Sequence, residues 1–77
     1  MQFTVKFSTL GMNLVAGQVE ASCVDNSKRA ATDLLIRRNL KSLDSASIVD
    51  STGKECAVLN VGAYRRARMV EWLTIRN

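Results

Sequence analysis

Hydrophobic and polar residues change their period along the chain. Phe3, Val5 and Phe7 alternate with Gln2, Thr4, Lys6 and Ser8, the two-residue repeat of a strand with one face in a core and the other in water. Gly11, within Leu10-Gly11-Met12-Asn13, interrupts that stretch with a residue free to take positive φ, which predicts an antiparallel hairpin. The alternation then resumes, with Val15, Val19, Ala21 and Cys23 expected inward and Gln18, Glu20 and Ser22 outward.

At Asn26 the period becomes helical. Asp25, Asn26 and Ser27 each carry a short side chain able to accept from an unpaired amide of a first helical turn, and Ala30, Ala31, Leu34 and Leu35 form one stripe. A helix from Asn26 to Arg38 is predicted, its core contact fading near Arg38, which falls on the same stripe one turn later. Leu40 and Leu43 lie in a polar, turn-forming run and read as loop leucines that plug the end of the core. Ile36 faces away from the stripe and is placed to pair with them. A hydrophobic dimerisation edge is the competing account of these leucines.

A second hairpin follows: Ala46, Ile48 and Val49, a turn over Asp50-Ser51-Thr52-Gly53-Lys54, then Cys56 to Val61. Gly53 sits where a type I turn followed by a left-handed residue requires it. In the last segment, Met69 to Ile75 is rich in β-branched and aromatic residues, which predicts a fifth strand after a turn near Gly62 to Arg66. A C-terminal helix is the runner-up. The expected architecture is therefore one α+β domain over residues 1–77, ordered ββαβββ, with a mostly antiparallel sheet and a single helix packed on one face.

Size and composition sharpen this picture. A domain of 77 residues buries only about 60% of the surface its unfolded chain exposes, and a core that thin rarely supplies more than roughly 3 to 5 kcal/mol. A permanent partner or a homodimer fits such a chain. No apolar run approaches the ~20 residues that span a bilayer, and Met1 leads directly into a strand pattern with no basic and apolar leader. The expectation is a cytoplasmic protein with no membrane association. Cys23 and Cys56 fall in alternating stretches and read as reduced, buried thiols.

Chemistry is sparse. Gly53-Lys54 is the pair found in phosphate-cradling loops, but the upstream glycine, the following Ser or Thr and the helix that such loops need are missing. There is no histidine to shuttle protons or complete a metal site, and no base is in view to activate either cysteine. No enzyme, no metal and no cofactor are expected.

Charge carries the functional signal. The chain has 11 Lys and Arg against 7 Asp and Glu, a net +4, which favours nucleic acid or acidic protein partners. One cluster is Lys28, Arg29, Arg37, Arg38 and Lys41, on the helix and its exit. The other is Tyr64-Arg65-Arg66-Ala67-Arg68, with Trp72 close in sequence. Guanidinium groups beside aromatics grip phosphates and stack bases. The competing account is a solvated arginine-rich turn with Trp72 filling the core. The layouts of the RNA recognition motif, the KH domain and helix-turn-helix proteins do not fit.

Val19-Glu20-Ala21-Ser22, then Ser27-Lys28-Arg29-Ala30-Ala31, then short strands, resembles the layout of small phage-encoded inhibitors, including some anti-CRISPR proteins that target type I surveillance complexes. The resemblance implies a protein without enzymatic activity that occupies a surface of a larger protein or ribonucleoprotein complex. The binding residues expected from physical chemistry are Tyr64, Arg65, Arg66, Arg68, Trp72, Arg37, Arg38 and Lys41. A small basic nucleic-acid-binding module built on the same arginine and aromatic surface is the alternative.

Overall fold

A computed structural model describes residues 1–38 and 42–76. Its elements run β1 (Gln2–Thr9), β2 (Met12–Glu20), α1 (Val24–Arg37), β3 (Ser45–Val49), β4 (Glu55–Leu59), α2 (Val61–Ala67) and β5 (Trp72–Thr74). The strands form one antiparallel sheet in the order β2-β1-β3-β4-β5. The layout is α+β as the periodicity predicts, with one correction: the described residues form two helices rather than one.

One sheet face carries the core. Phe3, Val5 and Phe7 of β1 are buried, joined by Ala46 and Ile48 of β3 and Ala57 and Leu59 of β4. Ala31 and Leu35 of α1 are buried against this layer, while Ala30 and Leu34 are half-buried at its margin. Leu43 closes the end of the core as predicted. Ile36 is 64% exposed and lines no core; Leu40, its expected companion, lies outside the described residues.

The second strand departs from simple alternation. Val5 pairs with Gly17 but Lys6 pairs with Val15, so Ala16 is an extra residue and the strand bulges there. The bulge turns Ala16 into the core and leaves Val15, expected inward, 56% exposed. A single inserted residue moves every side chain beyond it to the other face. Gly17, next to the bulge, sits at φ +151, a conformation L side chains rarely adopt, and its missing Cβ leaves room for α1, since a Cβ there would lie 3.2 Å from Leu34 Cδ2.

α1 starts at Val24, two residues before Asn26, with Cys23 as its N-cap. Cys23 is exposed rather than buried, since the chain has left the sheet by that point; Cys56 is half-buried, and both thiols are free. The side chains of the expected caps point elsewhere: Asn26 donates to Ser22 Oγ, and the fully buried Ser27 hydroxyl donates to the Val24 carbonyl at 2.6 Å.

The hairpin between β3 and β4 keeps the predicted turn, although β4 ends at Leu59 and Val61, expected in the strand, opens α2. Asp50 Oδ1 accepts from the Thr52 and Lys54 amides and the Thr52 hydroxyl, and Gly53 is left-handed at φ +89. These bonds hold the Asp50 carboxyl below the usual carboxylate range, the Thr52 hydroxyl contributing most. Strands flank Gly53-Lys54 on both sides, so the pair is a hairpin turn and not a phosphate loop.

Past β4, the predicted turn at Gly62 to Arg66 is the short helix α2. Asn60 caps it by accepting from the Ala63 amide at 3.2 Å, and Ala63 and Tyr64 anchor it in the core. β5 is accordingly only three residues long, narrower than the predicted Met69 to Ile75.

Candidate functional site

The topology gathers the arginines. β1 and β4 end, and β2, β3 and β5 begin, at one end of the sheet, as the registers Thr9↔Met12, Ser8↔Ser45 and Leu59↔Trp72 require. The chain leaves α1 for β3 there, bringing Arg37 and Arg38, and α2 joins β4 to β5 there, bringing Arg65, Arg66 and Arg68. All five arginines are exposed. Lys41, the remaining expected member, lies outside the described residues.

The carboxylates near this pole in sequence and topology, among the described residues, are Asp33, one helical turn before Arg37, then Asp44 and Glu71. Asp44 is partly engaged by the Gly11 amide at 3.4 Å. The opposite end balances itself, with Glu20, Asp25, Asp50 and Glu55 against Lys28, Arg29, Lys54 and Arg76. At this pole the five arginines thus outnumber the three nearby carboxylates among the described residues, whereas the opposite end is balanced. Among the described residues none of the five arginines forms an ion pair; the only side-chain pair joins Lys28 to Asp25 at 3.2 Å.

The aromatics are placed differently from the arginines. Tyr64 is 5% exposed and belongs to the core. Its ring face is covered in part by Arg68, whose guanidinium carbon lies 5.4 Å from the ring centroid. Trp72 is half-buried against the core, and its indole N–H donates to the Thr32 hydroxyl of α1 at 2.9 Å. Neither ring is offered as a stacking platform. Tyr64 and Trp72 therefore support the pole, and the arginines alone face outward. The signal for this was weak in sequence: a lone Trp or Tyr in a small domain more often fills the core.

Arg68 is also a backbone irregularity. It caps α2 in the left-handed region at φ +57, with its amide bonded to the Tyr64 carbonyl at 2.8 Å. That cap aims Arg68 back over Tyr64 while Arg65 and Arg66 project from the last turn.

A groove of about 700 Å³ crosses the uncovered face of the sheet, with Lys6, Val15, Ser47, Glu55 and Val58 in its lining. Sequence reasoning did not single it out, because Val15 was expected inward. It holds no nucleophile paired with a base, and among the described residues no cluster of acidic or thiol side chains could hold a metal. No described helix is long and apolar enough to cross a membrane. The chain matches no known family model, and neither characterised proteins nor solved structures yield a significant match.

Proposed function

We propose that this protein is a non-enzymatic binding protein whose arginine pole docks on an acidic surface of a larger macromolecular assembly and blocks or modulates it. One observation carries the reading: Arg37, Arg38, Arg65, Arg66 and Arg68 share one end of the domain, exposed and without carboxylate partners among the described residues. Each guanidinium presents a planar fork of donors that matches carboxylates and phosphates, and a concentrated patch of one sign steers an oppositely charged partner into place. Inhibition of a host nucleoprotein complex, the role implied by the resemblance to small phage-encoded inhibitors, is one form this activity takes.

An acidic protein surface is favoured over nucleic acid bases because both aromatic rings are engaged internally. Base stacking, the sequence-tolerant source of single-strand affinity, has no exposed ring to act through among the described aromatics. The test is affinity capture from source cells with the wild type and with Arg65→Glu/Arg66→Glu. The expected result is one large assembly recovered by the wild type and lost, at least tenfold in yield, with the double variant. Equal recovery by both proteins overturns the role of the pole. Capture of mixed nucleic acid, together with oligonucleotide affinity that falls steeply with log salt, replaces this reading with the nucleic-acid module.

A further inference from the structure

The β1–β2 hairpin differs in composition from the rest of the surface. Residues 7–19 contain no charged side chain in a chain with 18 of them. Within that stretch Leu10, Met12, Leu14 and Val15 are 81%, 54%, 42% and 56% exposed. Its second strand, β2, is an edge of the sheet, and edge strands ordinarily carry lysines, prolines or inward-pointing charges that discourage pairing. Between Met12 and Val15 this edge has none of these, and the bulge that would twist it away begins only at Ala16.

Register shows which backbone groups are free. Leu10 and Gly11 form a two-residue turn, so Thr9 and Met12 are a hydrogen-bonded pair, Ser8 and Asn13 are not, and Lys6 and Val15 are not. The Ser8 carbonyl accordingly points away from β2, accepting from the Asp44 amide at 2.8 Å. The amides and carbonyls of Asn13 and Val15 therefore face outward along the open edge.

We infer that β2 pairs with the β2 of a second copy of this chain, antiparallel and about a two-fold axis near Leu14, to form a continuous ten-stranded sheet. Three features select a second copy. An antiparallel edge is complementary to itself, which is what a two-fold interface requires. Chains of net charge +4 repel one another everywhere except through an uncharged contact, and the antiparallel sense sends the two arginine poles in opposite directions. The other edge, β5, is three residues long and too short to propagate pairing, so association closes at a dimer. This inference is independent of what the arginine pole binds.

Sedimentation equilibrium from roughly 10 µM to 1 mM covers the affinity range of small, transient interfaces. The expected result is a monomer–dimer equilibrium that Val15→Glu weakens at least tenfold and Ile36→Glu, at an exposed apolar site on α1, leaves unchanged. Val15→Glu places a carboxylate opposite Lys6 within its own sheet, so folding is retained; Met12→Glu provides the same reading if it is not. Hydrogen exchange of the Asn13 and Val15 amides should slow with rising concentration in the wild type only. A wild type that stays monomeric throughout overturns the inference. So does a dimer that survives both edge variants, a dimer whose Asn13 and Val15 amides exchange at the monomer rate, or an edge occupied only by a different captured protein.

Discussion

Leu10 is held at φ +50 and Gly11 at φ +78, the two central positions of a tight hairpin turn in which both residues are left-handed. An L-residue in that region costs about 1 to 2 kcal/mol through the clash of Cβ with the following carbonyl. Asn tolerates it better because its side chain bonds locally to the backbone. Little is lost with the leucine, which is 81% exposed; a fifth of the roughly 1.5 to 3 kcal/mol for full burial is about 0.3 to 0.6 kcal/mol. Leu10→Asn should therefore stabilise the monomer by about 1 kcal/mol, which for a domain of this size raises Tm by about 4 to 8 °C. Thermal unfolding by far-ultraviolet circular dichroism, at dilution sufficient to exclude self-association, measures it. Leu10→Gly should gain less because of its unfolded-state entropy, and Leu10→Ala should change little, since it removes the side chain but keeps the clash. An unchanged or lower Tm for Leu10→Asn, or a gain for Leu10→Ala equal to that for Leu10→Asn, would refute the assignment of strain to the backbone.

Other substitutions probe other links. Thr32→Val removes the acceptor of the Trp72 indole and should cost about 1 to 2 kcal/mol, read by denaturant midpoint, with a shift in tryptophan fluorescence; an unchanged midpoint would mean that the bond contributes nothing. Gly17→Val forces a branched side chain into the 3.2 Å gap before Leu34 Cδ2 and should cost about 1 to 3 kcal/mol. Arg68→Gly exchanges a left-handed arginine and its stacking on Tyr64 for an unstrained cap. The two effects oppose each other, each of order 1 kcal/mol, so stability should stay within about 0.5 kcal/mol while the pole loses one charge. For Asp50, the depressed folded pKa means that its contribution is fully present above the ordinary carboxylate value of 3.8 and is lost as pH falls through the lower, folded value. Asp50→Asn should flatten the stability profile below about pH 4, followed by unfolding midpoint against pH; an unaltered acid limb would contradict it.

Local pattern determined much of this protein. The alternation of Phe3, Val5 and Phe7, the Ala31 and Leu35 stripe, and the Asp50 to Lys54 turn each need only neighbours in sequence to declare themselves, because period and turn chemistry are short-range properties. Tertiary structure decided the rest. The bulge at Ala16 is set by how β2 pairs with β1, a different strand, so no alternation along β2 could announce it. α2 is seven residues long, too short to stand on propensity alone, and exists because Asn60 caps it and Tyr64 is buried beneath it. Trp72 is claimed by Thr32, forty residues away, which removes it from the surface where its arginine neighbours remain. The arginines themselves were visible as two separate clusters; that Arg37 and Arg38 share a pole with Arg65, Arg66 and Arg68 follows only from antiparallel strand order, which returns distant segments to the same end of the sheet.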